Sequence, residues 1–224
     1  MLAFDAVLFD CDGVLVDSEP ITHRVLRDLL AETGWEMTHE ECMAIFLGKA
    51  VRAETARIEA HTGRPLTDAW MAEFYARRNV ALAAELQAIP GAAEAVAAVR
   101  ERLGGRIACA SGADREKVEL QLAKTGLAPL FAGQVFSGHE MPRTKPAPDV
   151  YLAAAAAALG VPPARCLVVE DSATGVTAGV AAGATVVGYS PGGPGHDVAE
   201  ALRAAGAQKI ITRMDELPGL LDAA

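Results

Sequence analysis

The sequence predicts an α/β fold: a doubly wound parallel sheet with an all-helical domain inserted after its first strand. Three observations support this prediction. Short apolar segments alternate with helical patterns in the second half of the chain, a long helical stretch follows the first apolar segment, and 51% of the 224 residues are hydrophobic. Buried strands that alternate with helices are typical of a parallel sheet covered on both faces. A hydrophobic content this high excludes a disordered chain.

The first apolar segment, residues 3–9, is predicted to be a strand that ends in a turn. From residue 20 to residue 88 the apolar positions recur at helical spacing, with glycines between the segments and no convincing strand. Ile89-Pro90-Gly91 then breaks this pattern. The predicted domains are an α/β core over residues 1–17 and 90–224 and a helical cap over residues 18–89.

After this break the chain repeats a rhythm of strand, loop and helix. The predicted strands cover residues 106–110, 134–136, 166–169, 185–188 and 209–211. The predicted helices cover residues 114–124, 149–159 and 173–182. The second helix contains six consecutive alanines, and alanine has the highest helix propensity.

The charge balance excludes some classes of partner. Twenty Lys and Arg against 29 Asp and Glu give a formal net charge of -9, which disfavours binding to nucleic acid or to an anionic membrane. No apolar run reaches the roughly 18 residues of a membrane span, and acidic residues interrupt the first apolar run, unlike in a signal peptide. The four cysteines form no CxxC pair. We therefore expect a soluble cytoplasmic protein. We also expect a monomer or a weak homodimer, a state that charge and cysteine usage do not determine.

Two acidic pairs directly follow predicted strands. Asp10 and Asp12 come after the first strand, and Glu170 and Asp171 come after the strand at residues 166–169. Ligands of an open parallel sheet bind beyond the carboxyl ends of its strands, and clustered carboxylates repel one another unless a cation is present. Mg2+ characteristically binds one or two carboxylates together with waters and substrate phosphate. The pairs predict a Mg2+ site, although Asp-Gly after a strand is also a common turn.

Two further segments suggest an anion site. Ser111-Gly112 lies between a predicted strand and a predicted helix, where free N–H groups and a hydroxyl can bind phosphate or where Ser111 can simply cap the helix. Lys145 lies in Thr-Lys-Pro-Ala-Pro-Asp, where two prolines stiffen the chain and Asp149 is a plausible helix cap. Lys145 can therefore face a phosphoryl group, or it can be an ordinary surface lysine. All four segments reach the same edge of the predicted sheet, which we interpret as an active site.

These segments resemble, in order, the four motifs of the haloacid dehalogenase superfamily of phosphatases and phosphomutases. They are DxDGxLxDSE at residues 10–19, Ser111, Lys145 in TKPxPD, and Glu170-Asp171 in VVEDS. The resemblance covers essentially the whole chain. Its subgroup contains β-phosphoglucomutase, phosphoglycolate phosphatase and sugar-phosphate phosphatases, and the sequence looks most like 6-phosphogluconate-type phosphatases.

The resemblance implies a Rossmann-like core and a defined chemistry. Asp10 is expected to be the nucleophile that forms an aspartyl-phosphate. Asp12 is expected to protonate the leaving alcohol and then deprotonate the attacking water. The implied Mg2+ ligands are Asp10, the backbone carbonyl of Asp12, Asp171 and, directly or through water, Glu170. The implied phosphate-binding residues are Ser111, Gly112 and Lys145.

The resemblance also implies that the helical cap closes over the site and contacts the part of the substrate outside the phosphate group. Candidate cap residues are Glu19, His23, Lys49 and Arg52. Alternatively, His23, Lys49 and Arg52 lie on a solvated helix surface. Glu19 can instead cap the next helix.

The expected function is Mg2+-dependent hydrolysis of a small phosphorylated metabolite, a sugar phosphate or sugar-acid phosphate. A β-phosphoglucomutase-like mutase is the alternative. Thr22 stands where that enzyme has a histidine, and Val51 stands where it has an arginine, so the sequence departs from the mutase pattern at both positions. A phosphosugar sensor is a third alternative, but binding alone requires no nucleophile, and both Asp10 and Asp12 are present.

Overall fold

A computed structural model describes residues 3–131, 133–158, 160–193 and 195–222. The chain divides into two compact units. The core unit consists of Met1–Asp17 and Gln87–Ala224, and the helical unit is Ser18–Leu86. Residues 87–89 belong to the core unit because the N–H of Asp17 donates to the carbonyl of Gln87, and the N–H of Ile89 donates to that of Leu15.

The described residues of the core unit form a six-stranded parallel sheet. Its strands are β1 (Ala6–Phe9), β2 (Ile107–Ser111), β3 (Val135–Ser137), β4 (Cys166–Glu170), β5 (Thr185–Tyr189) and β6 (Lys209–Ile211). Their order is β3-β2-β1-β4-β5-β6, and every neighbouring pair is parallel. The predicted doubly wound α/β class is confirmed. The strand order reverses at β1, where ligands of such sheets bind.

Both units contain helices among the described residues. In the helical unit they are α1 (Glu19–Ala31), α2 (His39–Phe46), α3 (Thr55–Thr62) and α4 (Asp68–Glu85). In the core unit they are α5 (Ala92–Arg102), α6 (Arg115–Lys124), α7 (Ala128–Phe131), α8 (Asp149–Ala153), α9 (Ala173–Ala181) and α10 (Ala199–Ala205). Short 3-10 turns cover Val51–Glu54, Gly138–Glu140, Pro163–Arg165, Met214–Glu216 and Pro218–Leu221.

The helix predicted over residues 149–159 is not a continuous α-helix. It is α-helical over Asp149–Ala153 and continues as a π-helical turn over Ala154–Ala158, while residue 159 lies outside the described residues. Asp149 does not cap this helix. It is the first helical residue, Pro148 precedes it, and its carboxylate accepts a hydrogen bond from Arg143 at 2.8 Å.

The central strands are buried on both faces, as parallel strands usually are. All four residues of β1 and all five of β4 are buried. Ala6 and Leu8 of β1 pack in one apolar cluster with residues of α8 and α9. Since β1 and β4 are paired in parallel from Ala6 to Phe9, their carboxyl ends lie side by side, where the polar residues begin.

The helical unit has its own apolar core. Val25, Leu26, Leu29 and Leu30 lie on one face of α1 and pack with aromatic residues such as Trp35. Helix α2 begins with a capping box in which Thr38 and Glu41 bond reciprocally. In the described part of the chain, no helix combines the length and apolarity needed to cross a membrane.

Candidate active site

Lys145 lies at the centre of the polar cluster at the carboxyl ends of β1, β2 and β4. Its Nζ atom is 2.5 Å from Asp10 Oδ1 and 2.7 Å from Glu170 Oε1. It also donates to the Ala110 carbonyl at 3.0 Å and contacts the Tyr151 hydroxyl at 2.9 Å. The Lys145 side chain is 8% exposed, so it is not an ordinary surface lysine.

The ionisation of this cluster follows from burial and opposite charge. Burial alone would lower the pKa of Lys145, but Asp10 and Glu170 outweigh burial and hold that pKa well above its usual range. The pKa of Asp10 is raised to about 7, chiefly by burial; the Glu170 and Asp12 carboxylates add to the rise, and the Lys145 ammonium opposes it. Lys145 is therefore a permanent cation, and Asp10 is a carboxylate whose charge the site destabilises.

Three carboxylates could hold one cation among the described residues. Oxygen atoms of Asp10, Glu170 and Asp171 all lie within 4.8 Å of one another, and all three residues are buried. Buried carboxylates that converge in this way are costly unless positive charge lies between them. The donor set consists of hard oxygen ligands, which suit Mg2+ or Ca2+.

Two glycines make room for these carboxylates. Gly13 has φ +73°, and a Cβ atom there would lie 1.9 Å from Asp171 Oδ2. A Cβ atom at Gly175 would lie 1.8 Å from Glu170 Oε1. Asp171 can approach the turn after β1, and Glu170 can approach α9, because Gly13 and Gly175 have no side chain. Gly179 on the same helix packs against Val168 and Val186 of the sheet.

Tyr151 was not singled out by the sequence analysis, yet it belongs to this cluster. Its hydroxyl donates to Glu170 Oε1 at 2.6 Å, and its ring lies below the Lys145 ammonium, with Nζ 4.6 Å from the ring centroid. Burial and the Glu170 carboxylate raise the pKa of Tyr151 well above its usual range. Its position in α8, immediately after the Lys145 segment, is the signal that could have identified it.

Ser111 and Gly112 lie beside Lys145 at the end of β2. A Cβ atom at Gly112 would lie 3.7 Å from Lys145 Cδ, and Lys145 bonds the carbonyl of Ala110. The hydroxyl of Ser111 accepts a hydrogen bond from the N–H of Ala113 at 3.0 Å. Ser111 is not the cap of α6, because Asp114 has that position.

The Asp12 carboxylate points to a different set of partners. Its Oδ1 atom is 2.7 Å from the Lys117 ammonium and accepts a hydrogen bond from Gln121 Nε2, also at 2.7 Å. Both partners belong to α6 and were not singled out from sequence. Their spacing of four residues on one helix, just after Ser111-Gly112, is the signal that could have identified them.

The candidates of the helical unit have local partners. His23 is 3% exposed, and its Nδ1 lies 3.0 Å from the Glu19 carboxylate and 2.8 Å from the Glu19 carbonyl. Lys49 pairs with Glu54 at 3.0 Å, and Arg52 pairs with Asp68 at 2.5 Å. Glu19 does not cap α1, since it is the first helical residue and its carboxylate faces His23.

Comparison with known proteins places the chain in a family. A family model for haloacid dehalogenase-like hydrolases matches residues 4–183. The crystal structure of a HAD family hydrolase from Deinococcus radiodurans R1, with bound phosphate and sodium, is 37% identical, with a TM-score of 0.80 and coverage of 100% of both chains.

Curated relatives include enzymes of similar length and longer proteins. The 6-phosphogluconate phosphatase of Escherichia coli K12 is 31% identical over 83% of this chain and 82% of its own length. SUPPRESSOR OF QUENCHING 1, a chloroplastic protein of Arabidopsis thaliana, is 34% identical over 79% of this chain, which spans 17% of that protein.

Proposed function

The chain belongs to the haloacid dehalogenase-like hydrolase family, and from that premise we propose that it is a Mg2+-dependent phosphatase of small phosphorylated metabolites. The observation that carries the proposal is the contact of Lys145 with Asp10 at 2.5 Å and with Glu170 at 2.7 Å. A buried ammonium between buried carboxylates is suited to a reaction in which negative charge must approach a phosphoryl group.

Asp10 is the proposed nucleophile. One of its carboxylate oxygens attacks phosphorus, the bond from phosphorus to the ester oxygen breaks, and the ester oxygen takes a proton from Asp12 and leaves as an alcohol. Water then attacks the aspartyl-phosphate and gives a proton to Asp12, and the bond from phosphorus to Asp10 breaks to release inorganic phosphate. Splitting the displacement into two steps is the advantage of covalent catalysis.

The acidic cluster fits a divalent cation. We propose that the carboxylates of Asp10 and Asp171 and the backbone carbonyl of Asp12 ligate Mg2+. Glu170 is proposed to orient the water shell of the ion, because its Oε1 already accepts from Lys145 and Tyr151 and its Oε2 from Ser172. When bound, Mg2+ would offset the charge of the carboxylates and of the transferring phosphoryl group.

The remaining residues of the site are proposed to bind the phosphoryl oxygens. Lys145 would supply a fixed cation, and Ser111 and Gly112 would supply a hydroxyl and backbone N–H groups at the end of β2. Donors held on the sheet lose little entropy when the substrate binds, which favours the transition state.

We further propose that the helical unit, Ser18–Leu86, is a cap that selects the substrate, with Glu19, His23, Lys49 and Arg52 as candidate contacts. A sugar phosphate or sugar-acid phosphate is the proposed substrate class, supported by similarity to 6-phosphogluconate phosphatase. The proposed location is the cytoplasm, supported by four free, buried cysteines, and the proposed state is a monomer or a weak homodimer.

Phosphate release tests the proposal. The purified protein is incubated with p-nitrophenyl phosphate and a panel of sugar phosphates, with Mg2+ or with a chelator. We expect Mg2+-dependent release that Asp10→Asn abolishes. Interconversion of β-glucose 1-phosphate and glucose 6-phosphate without net phosphate release would instead show a mutase. Thermal stabilisation by a sugar phosphate without turnover would show a sensor.

A further inference from the structure

Helix α6 places a polar stripe against the active-site turn. Lys117 and Gln121 are four residues apart and therefore lie on the same face of the helix. Lys117 is 6% exposed and Gln121 is fully buried, beside the apolar Val118 and Leu122. Lys and Gln are rarely buried without a specific partner, so this stripe requires an explanation that packing alone does not supply.

The shared partner of the stripe is one oxygen of Asp12. Lys117 Nζ and Gln121 Nε2 each lie 2.7 Å from Asp12 Oδ1. The amide of Gln121 is itself oriented, because Cys11 Sγ donates to its Oε1 at 3.4 Å. The backbone N–H of Lys117 donates to the Asp114 carboxylate at 2.9 Å, which caps the first turn of the helix. Both donors therefore project from a fixed helix.

We propose that Lys117 and Gln121 are positioning residues that hold Asp12 so that its Oδ2 atom performs the proton transfers. This inference rests on the proposed phosphatase function. The two contacts to Oδ1 fix the orientation of the carboxylate, and the proposal assigns the transferred proton to Oδ2. In the first step that proton passes from Oδ2 to the ester oxygen as the bond from phosphorus to oxygen breaks. In the second step Oδ2 accepts the proton of the attacking water.

The proposal predicts that loss of Lys117 or Gln121 slows a reaction step only where that step needs a proton transfer by Asp12. An alkoxide from a sugar phosphate is a poor leaving group and requires a proton, whereas p-nitrophenolate leaves without one. Loss of a positioning donor should therefore slow release of a sugar alcohol but not the first release of p-nitrophenolate. Attack of water on the aspartyl-phosphate should slow for both substrates, since the intermediate is the same.

The test compares Lys117→Met and Gln121→Met with wild-type enzyme by rapid-mix and steady-state kinetics in saturating Mg2+. For a sugar phosphate, kcat should fall about 100-fold, the effect of a misplaced catalytic group. For p-nitrophenyl phosphate, the initial burst should keep its wild-type rate within about threefold, followed by slow turnover. Lys117→Arg should recover part of the activity because it restores a cationic donor. The exposed Lys124 lies on the same helix, and Lys124→Met is the matched control.

The outcomes separate this inference from the function on which it rests. If the burst slows as much as sugar-phosphate hydrolysis, Lys117 and Gln121 bind the phosphoryl group or merely support the fold, and the inference is overturned. Unchanged turnover of the sugar phosphate in both methionine variants also overturns it. If circular dichroism shows that Lys117→Met does not fold, Gln121→Met alone provides the test. A wild-type protein that releases no phosphate from any substrate overturns the proposed function as well.

Discussion

The Nζ atom of Lys145 lies 2.5 Å from Oδ1 of Asp10, and the two side chains are 8% and 9% exposed. The same ammonium also contacts Glu170. One buried cation therefore pairs with two buried carboxylates, one that follows β1 and one at the end of β4. This relationship links the stability of the site to its proposed chemistry.

Lys145→Met should destabilise the protein in metal-free buffer. Removal of one partner from a buried ion pair leaves uncompensated charge and typically costs about 3–5 kcal/mol. Chemical denaturation measures the loss, and added Mg2+ should recover part of it by binding the carboxylates that have lost their ammonium partner. Arg143→Met is the control, because the Arg143–Asp149 pair involves a 68% exposed arginine and contributes about 1 kcal/mol or less. Equal stability of the two variants would contradict the role assigned to Lys145.

Asp10→Asn should remove activity without loss of the fold. An amide is not a nucleophile toward phosphorus, so turnover should fall by several orders of magnitude, as when other enzymes lose their nucleophile. The variant removes a carboxylate that burial disfavours and leaves Lys145 paired with Glu170, so its midpoint of thermal unfolding should equal or exceed that of the wild type. Asp215→Asn, at an exposed aspartate, should leave turnover unchanged. Near-normal turnover of Asp10→Asn would show that Asp10 is not the nucleophile.

Gly13→Ala should weaken activation by Mg2+ beyond what the backbone strain of the substitution explains. Alanine at φ +73° is strained, and its Cβ atom would displace the Asp171 carboxylate. Gly183 has φ +84°, and a Cβ atom there would meet nothing within 4 Å, so Gly183→Ala carries the same backbone strain, about 1–2 kcal/mol, without the clash. We expect the Mg2+ concentration for half-maximal activity to rise at least about tenfold in Gly13→Ala alone. Equal Mg2+ dependence in both variants would argue against Asp171 as a ligand.

The stability of the helical unit should depend on the protonation of His23. Burial lowers the pKa of His23, but the hydrogen bonds and charge of Glu19 outweigh burial and raise that pKa above its usual value. A raised pKa in the folded state stabilises the protein fully below the pKa of the unfolded chain, and this contribution is lost as pH rises through the folded pKa. Urea unfolding from pH 5 to pH 9, a range of about four units around the ordinary histidine pKa, should show this loss.

Glu19→Gln should flatten that pH dependence, because the amide no longer favours the charged imidazole. Glu36→Gln, at an exposed glutamate of the same unit, provides the control and should keep the wild-type profile. A wild-type profile in Glu19→Gln would mean that another group is responsible for the pH dependence.

The sheet and its polar edge could be predicted because both follow from local pattern. Apolar runs bounded by turn residues identify buried strands, and the structure has all six in the predicted order along the chain. The acidic pairs at Asp10 and Glu170 lie at one edge because parallel strands all end on the same side. The break of the Ala153–Ala158 helix into a π-helical turn could not be predicted, because six identical residues carry no periodic signal.

The partners of individual side chains required packing information. The pattern of α6 marks Lys117 and Gln121 as polar residues of a helix, and helix propensity does not distinguish a solvated face from a buried one. Their contact with Asp12 depends on the rotation of α6 against the sheet, which Val118 and Leu122 determine by packing. Tyr151 likewise reaches Glu170 only because α8 packs on the face of the sheet.

The position of a strand along the chain is a one-dimensional property. Residue types and spacing are therefore enough to predict which elements form and which polar residues lie at a common edge of the sheet. The pairing of Lys145 with two carboxylates, the room that Gly13 leaves for Asp171 and the orientation of Asp12 are distances between segments far apart in the sequence. Such distances arise only when the apolar faces of helices and sheet have packed, because burial selects one rotation of each element and thereby its polar contacts.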